Sequence, residues 1–447
     1  TLAGAYWKGS EQNTMLQRVY GLAFESKLEL RDFQEKRRLA LERDHRKLNT
    51  QQHYFVIEEE VGKGLPLWMP NGTVIRDELE KLAKEWEFLG GYQRVATPHI
   101  TKENLYHTSG HLPYYADSMF PPMEVDGEKL YLKPMNCPHH HMIYKAVPRS
   151  YRDLPVRFAE YGTCYRYEQS GELAGLLRVR ALTMNDAHIY CTPEQVKEEF
   201  IRVMRLHIDY YKLFGLQDFW MRLSLAEEDA TKFVDDPEVW PRAEALVMEA
   251  MDEVEIPYES VRGEAAFYGP KIDFQVSNVV GREETASTNQ LDLVMAGRFG
   301  LAYKGADGQD HAPMIIHRAP LGTHERFCAF LIEHYGGAFP TWLAPVQVRI
   351  IPVAPTFSEY AHQLRGELHR NFLRIEVDDS HDSFGKKIRN GATVKIPNLL
   401  IVGSEEQSNQ AVTWQRYGSK AREAVAFAEF QSRILEENRN RADWRNV

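Results

Sequence analysis

Cysteine is scarce in this 447-residue chain. The four present, Cys137, Cys164, Cys191 and Cys328, are too few to staple a chain of this length. A disulfide framework is excluded, and a reducing cytosol is expected. No apolar run approaches the roughly 18 residues that a membrane-spanning helix needs. The opening residues, TLAGAYWKGSEQ, lack the apolar stretch of a secretory signal. A cytoplasmic chain without membrane contact is the expectation. An initiating Met is also missing, as expected of a processed or truncated piece. Positive charge is in short supply: 54 Lys and Arg face 64 Asp and Glu, for a net charge of -10. Taken alone, that balance argues against a nucleic-acid partner, whose usual footprint is basic. Two nucleotide signatures are absent as well. There is no GxxxxGK[ST] loop, and no GxGxxG follows a strand-like run. If ATP is used, Arg side chains are the natural substitute, because a guanidinium clamps phosphate bidentately.

What is present reads as ordinary globular protein, 43% hydrophobic and 26% charged, with length for two or three domains. Residues 1–50 form a connector. Within 26–47, eight Lys or Arg stand against five Asp or Glu, which predicts a solvated helix with a local basic excess. Ile75, Leu79, Leu82, Trp86 and Leu89 recur at helical spacing and predict an amphipathic helix over 75–89, ended by Gly90-Gly91. A strand over 92–97 then runs into Pro98. Residues 154–165 and 177–190 are both strand-like, with EQSGELAG between them, and predict an antiparallel hairpin. Thr192, Pro193 and Gln195 carry the start signals of another helix. FPTWLAP, near 340, marks a boundary. Beyond it VQVRIIPV, LRIEVDD and PNLLIVG alternate with helical segments over 358–372 and KKIRNGAT, as in a small α/β domain.

Chemistry-bearing residues are scattered. Arg166 ends a strand before a loop, and Arg326 begins an apolar helix; two arginines define nothing until a fold joins them. Cys137, His188 and His317 are 51 and 129 positions apart, unlike any local zinc pattern, so spacing alone does not support a metal site. The run His139-His140-His141 is more conspicuous, but three adjacent residues cannot all face one ion.

The helix 75–89 with its following strand, CYRYE (164–168) and GTHERF (322–327) resemble motifs 1, 2 and 3 of class II aminoacyl-tRNA synthetases. KPMNCP, RVRALTMNDAHIYCTPEQ, AAFYGPKIDF and MIIHRAPLGTHERF together resemble, more narrowly, the threonyl-tRNA synthetase family. GAYWKGSEQNTMLQRVYG and DHRK are similar to that family's link into its catalytic core. The resemblance implies an α+β fold: an antiparallel catalytic sheet flanked by helices over 51–343, then an anticodon-binding domain over 344–447. It implies a homodimer, built through motif 1, that joins L-threonine to tRNA(Thr) at the cost of ATP. A non-catalytic, tRNA-binding relative is the alternative, and such proteins typically lose the motif arginines.

The resemblance also assigns residues. Cys137, His188 and His317 match three ligands of a catalytic Zn2+, one per subunit. Arg166, Glu168, Arg178, Gln290 and Arg326 match ATP-binding positions, with Mg2+ accompanying the ATP. Met135, Asp186, Tyr268 and Lys271 match the threonine pocket, and His111 matches a histidine that assists transfer to tRNA. Glu406 matches an anticodon-reading position. Departures fall at Met184 and Thr285, where many relatives carry Gln, and at His381, Ser383 and Gln415 in the anticodon region. A site that coordinates the threonine hydroxyl is expected to reject valine by roughly 10⁴ or more, but to lose only about 1–3 kcal/mol on serine. Serine is therefore expected to be activated, with no N-terminal editing domain in this chain to clear it. The local basic patches imply tRNA affinity that falls steeply with salt.

Overall fold

The computed structural model describes residues 2–6, 14–19, 21–216, 219–226, 239–266, 268–277 and 283–446. Parts of two segments singled out in the sequence, residues 7–13 and 20 of GAYWKGSEQNTMLQRVYG and residue 267 of AAFYGPKIDF, lie outside them.

An eight-stranded sheet dominates. From one edge to the other its strands are Tyr258–Arg262, Phe219–Leu225, Lys271–Ser277, Glu283–Asp292, Met314–Ala319, Ala181–Cys191, Val156–Tyr165 and Gln93–Arg94. Only the two edge strands pair in parallel; every interior pairing is antiparallel. The predicted hairpin is the backbone of this sheet: Ala181 lies opposite Tyr165 and Tyr190 opposite Val156.

Strand side chains alternate between faces, and the two faces differ in kind. Ile189, Cys191, Ile272, Phe274, Leu291 and Ile316 point to one side. There they pack against Leu79 and Leu82 of helix Pro70–Leu89, Phe200 and Met204 of helix Val196–Leu213, and Phe327 and Leu331 of helix His324–His334. The intervening residues, among them Asp186, His188, Gln290 and His317, share the opposite face.

One buried ion pair fixes helix Pro70–Leu89 beneath the sheet. Glu87 Oε1 accepts from Arg318 Nη2 at 2.9 Å and from Asn185 Nδ2 at 2.9 Å, while Glu87 Oε2 accepts from Tyr161 O–H at 3.2 Å. The Arg318 guanidinium also lies 4.3 Å from the Tyr92 ring centre. Both charged residues are 1% exposed.

A five-stranded sheet follows, ordered Ile375–Val377, Val348–Pro352, Asn398–Val402, Ala411–Arg416, Glu423–Ala426. Its first three strands are parallel and its last two antiparallel. It has its own apolar core, including Val348, Leu364, Leu400, Trp414 and Phe430. Arg374 Nη1 to Glu78 Oε1 (2.6 Å) and Arg441 Nη2 to Glu85 Oε2 (2.5 Å) tie it to helix Pro70–Leu89.

Several boundaries differ from the sequence reading. The amphipathic helix expected over 75–89 begins at Pro70, where Pro suits the opening turn. Its last apolar residue, Leu89, is 82% exposed, while Glu87 takes the buried place because Arg318 awaits it. The strand expected over 92–97 is only Gln93–Arg94, since the Thr97 N–H turns away to Glu160 Oε1 at 2.7 Å. The second hairpin strand starts at Ala181 rather than 177. The helix expected from Thr192 starts at Val196, although Gln195 Oε1 does accept from the Thr192 N–H at 3.0 Å.

Replacing Glu87 by Ala leaves Arg318 buried and uncompensated. The expected loss is about 3–5 kcal/mol of stability, read as a lower denaturant midpoint.

Candidate functional site

Cys137 opens helix Cys137–Lys145, which lies over the polar face of the large sheet, with Pro138 in its first turn. His188 and His317 lie directly opposite each other on adjacent strands. Folding thus erases the sequence separation: ligand atoms of Cys137, His188 and His317 all fall within 4.8 Å of one another, and all three residues are buried. His188 Nε2 and His317 Nδ1 are 3.0 Å apart.

Their outer nitrogens are tied back. His188 Nδ1 lies 2.8 Å from His140 Nδ1, whose Nε2 lies 3.0 Å from Glu160 Oε2. His317 Nε2 lies 2.8 Å from Asp292 Oδ2. Such outer partners orient histidines toward a metal. Burial holds His188 well below its ordinary pKa, with the neighbouring His317, His140 and His141 adding to the effect, so its ring is neutral. Burial pushes the Cys137 thiol well up, with Asp186 and Asp292 adding to it; a divalent cation would reverse that by taking the thiolate. Burial would raise Glu160 too, but the His140 hydrogen bond and the Lys133 charge outweigh it and leave the carboxyl at about 2.

One sulfur and two imidazoles converging on a point form a donor set that fits Zn2+. His141, Asp292 and His317 form a second cluster. It is the poorer candidate, because Asp292 Oδ1 already accepts from the Val294 and Met295 N–H groups.

The other predicted residues surround this cluster. Asp186 is on the same strand face as His188 and accepts from Asn136 Nδ2 at 3.2 Å. Asn136 fits there only because residue 162 is glycine: a Cβ at Gly162 would stand 2.2 Å from Asn136 Oδ1. Burial raises the Asp186 pKa against the charges of His140 and His317. Tyr268 stacks on the His317 ring at 5.1 Å and donates to Gln290 Oε1. Lys271 pairs with Asp273 at 3.1 Å, next to Gln290 in register. Met135 precedes Asn136 and is half-buried.

The two motif arginines are linked through Met184. Arg166 donates toward the Pro134 carbonyl at 3.5 Å, and its Nη2 lies 3.8 Å from Met184 Sδ. Met184 in turn bridges to Thr323, which caps the helix that carries Arg326. Arg326 Nε donates to the Leu177 carbonyl at 3.1 Å. Glu168 and Arg178 pair with each other at 3.3 Å across the intervening loop. His111 is buried, with Nδ1 2.8 Å from Ser109 Oγ. Burial lowers it to about 4, helped by the charges of Arg166 and His317.

Glu406 is remote from this cluster. Its carboxylate accepts from the Gly403 N–H at 2.8 Å and the Thr413 hydroxyl at 2.7 Å. Gln415 donates to the Ser419 carbonyl, and Arg416 pairs with Glu437. Sequence reasoning passed over His140, Glu160, Asp292 and Asn136. The only signal for His140 was its place in a run of three histidines. Glu325 was also missed. It is buried, and its Oε2 accepts from the Thr183 N–H at 2.9 Å, one residue from Met184.

Two family models match the chain. Residues 122–335 match the class II tRNA synthetase core domain (G, H, P, S and T), and residues 347–437 match an anticodon-binding domain. A threonine–tRNA ligase from Deinococcus deserti is 52% identical over 98% of this chain and 68% of its own length. Threonine–tRNA ligase 1 of Bacillus subtilis is 49% identical over the same shares. The chain belongs to the threonine–tRNA ligase family. It spans 68% of the length of these two relatives. A crystal structure described as the RNA-binding domain of threonyl-tRNA synthetase from Cryptosporidium parvum Iowa II superposes with a TM-score of 0.83 at 33% identity. That match covers 88% of this chain and 98% of the other.

In this ligase-family fold Glu325 gives a pH signature. Burial raises its carboxyl to about 7, opposed by the Thr183 N–H and the Arg76 charge. Below the ordinary value of 4.5, folded and unfolded chains both hold the proton. From there to about 7 only the folded chain holds it, so this contribution to stability is lost as pH rises through the window. Glu325→Gln is expected to flatten that part of the profile of unfolding free energy against pH.

Proposed function

We propose that the cleft over the large sheet carries out both half-reactions of a threonine–tRNA ligase, with Cys137, His188 and His317 holding Zn2+ and Arg166 and Arg326 holding ATP. The observation that carries the reading is the convergence of those three side chains within 4.8 Å on one buried sheet face. Near-50% identity to threonine–tRNA ligases along 98% of the chain favours a ligase over a non-catalytic relative.

In the first half-reaction a threonine carboxylate oxygen attacks the α-phosphorus of ATP. A P–O bond forms, the bond to the β-phosphate bridge breaks, and pyrophosphate leaves; Mg2+ bound with the ATP would offset phosphate charge. Arg166 and Arg326 carry the charge on the phosphates and align the attack, which is most of what this chemistry requires. Glu168, Arg178 and Gln290 complete the nucleotide site. Asp186, whose carboxyl is raised by burial, is suited to accept from the α-amino group, which must be the free amine to bind a metal. Tyr268, Lys271 and Met135 close the amino-acid pocket. The bound zinc would supply Lewis-acid coordination of the threonine amino and hydroxyl groups. In the second half-reaction a hydroxyl of the terminal tRNA ribose attacks the activated carbonyl carbon and AMP leaves. His111 is neutral at pH 7 and is suited to accept the hydroxyl proton.

The larger assembly follows the same reading. The connector ends near 50, the catalytic domain spans 51–343 and the anticodon-binding domain spans 344–447, in keeping with two separate apolar cores. Phe88 and Leu89, 80% and 82% exposed at the end of the motif 1 helix, suit a homodimer contact. Helix Lys27–Arg43, which has no buried residue, offers its basic excess to tRNA. Glu406 is assigned to anticodon readout through the strand it braces. Among the described residues no helix is long and apolar enough to cross a membrane, and a cytoplasmic location is proposed.

Threonine-dependent exchange of pyrophosphate into ATP tests the reading. The parent chain is expected to be active, and Arg166→Ala or Arg326→Ala to lose about 10²–10³ in rate. No exchange with threonine would overturn it. Selectivity gives a second measurement: valine is expected to be rejected by roughly 10⁴ or more in kcat/KM, and serine by only about 10–200-fold. Equal rejection of the two would contradict hydroxyl recognition by a metal.

A further inference from the structure

One buried side chain outside the cleft joins three segments far apart in sequence. His45 begins helix His45–Gln52 and is 1% exposed. Its Nδ1 lies 2.7 Å from Glu333 Oε1, and its backbone N–H donates to the same oxygen at 3.2 Å. Glu333 sits near the end of the helix that carries Arg326. The other ring nitrogen, Nε2, accepts from the Leu176 N–H at 3.2 Å. That fixes the tautomer: Nε2 accepts, so Nδ1–H donates to Glu333.

Leu176 lies on the return limb of the loop between Arg166 and strand Ala181–Cys191. Three consecutive residues there are each held from a different side. Leu176 is held by His45, the Leu177 carbonyl accepts from Arg326 Nε at 3.1 Å, and Arg178 pairs with Glu168 at 3.3 Å. Residue 175 must be glycine for His45 to reach in. Its φ is +55, and a Cβ there would stand 2.2 Å from His45 Nε2. Asp44, His45 and Glu333 could pass for a cation site by donor type. However, Asp44 Oδ1 accepts from the Arg46 N–H at 2.8 Å, and both ring nitrogens of His45 are already used. The cluster is a mechanical tie.

We propose that His45 is a positioning residue for nucleotide binding, pinning residues 175–178 so that Arg326 and Arg178 meet ATP in register. The inference rests on the ligase reading of the cleft. It couples the connector to the ATP site without His45 touching substrate. Loss of the tie is therefore expected to weaken ATP binding and leave threonine binding alone.

Two near-isosteric variants separate its two contacts. In His45→Asn the amide can replace Nδ1 at Glu333 but cannot reach Leu176. In His45→Gln the longer side chain carries an acceptor to the Leu176 N–H. Pyrophosphate exchange is measured on the full chain, with ATP and threonine varied in turn. His45→Asn is expected to raise the KM for ATP about tenfold while the KM for threonine stays within about twofold. His45→Gln is expected to restore the ATP value to within about threefold of the parent. Equal ATP values for the two variants, equal shifts in both KM values, or loss of folding in both would overturn the assignment. A parent chain without exchange would instead sink the ligase reading, and the inference with it.

Discussion

The pairing of strand Ala181–Cys191 with its two neighbours is the constraint on which the site depends. It sets His188 opposite His317 on one side and Asp186 opposite Glu160 on the other. Because strand side chains alternate, a slip of one residue would turn Asp186 and His188 into the apolar core and expose Ile189 to the cleft. The core prevents that slip: Ile189, Ile316 and Leu291 are fully buried against the helices below. Apolar packing on one face thus fixes the chemistry on the other.

The polar face carries an unusual density of buried titratable groups. Burying such groups is costly unless each is paired. Here Glu160 meets His140 and Lys133, Asp292 meets His317, and Lys271 meets Asp273. The face below has its own pair, Glu87 with Arg318, which anchors the motif 1 helix. Internal pairing is weakest at the Cys137 thiol, at the two imidazole nitrogens that meet each other at 3.0 Å, and at the raised acid Asp186, which receives a neutral amide. A metal cation and an amino acid's free amine answer those demands, which is why the same geometry that stabilises the fold reads as a site for threonine.

Much of this was legible in the sequence. The hairpin, the amphipathic helix through Leu79 and Leu82 and the mixed α/β character after 343 follow from periodicity. The resemblance named the family to which the chain belongs. Other features were hidden for physical reasons. Cys137, His188 and His317 belong to a helix start and two strands, so no local spacing could betray them. Glu87 was hidden because a charged residue on a helix reads as exposed until its buried partner is known. His45 sits in a charge-dense stretch that reads as solvated, and helix Lys27–Arg43 indeed has no buried residue. Only the Glu333 and Leu176 contacts distinguish His45 from its neighbours. The net charge of -10 misdirected, because a tRNA partner requires a basic surface rather than a basic chain.

The central claim is that a thiolate and two imidazoles, brought together by strand register, hold a metal that recognises threonine. Metal content of the purified chain, with X-ray absorption at the zinc edge, tests it most directly. The account predicts one zinc per chain, one sulfur and at least two nitrogen ligands in its shell, and loss of that signal in Cys137→Ala. Fully active protein with no zinc, or zinc without a sulfur ligand, would contradict it.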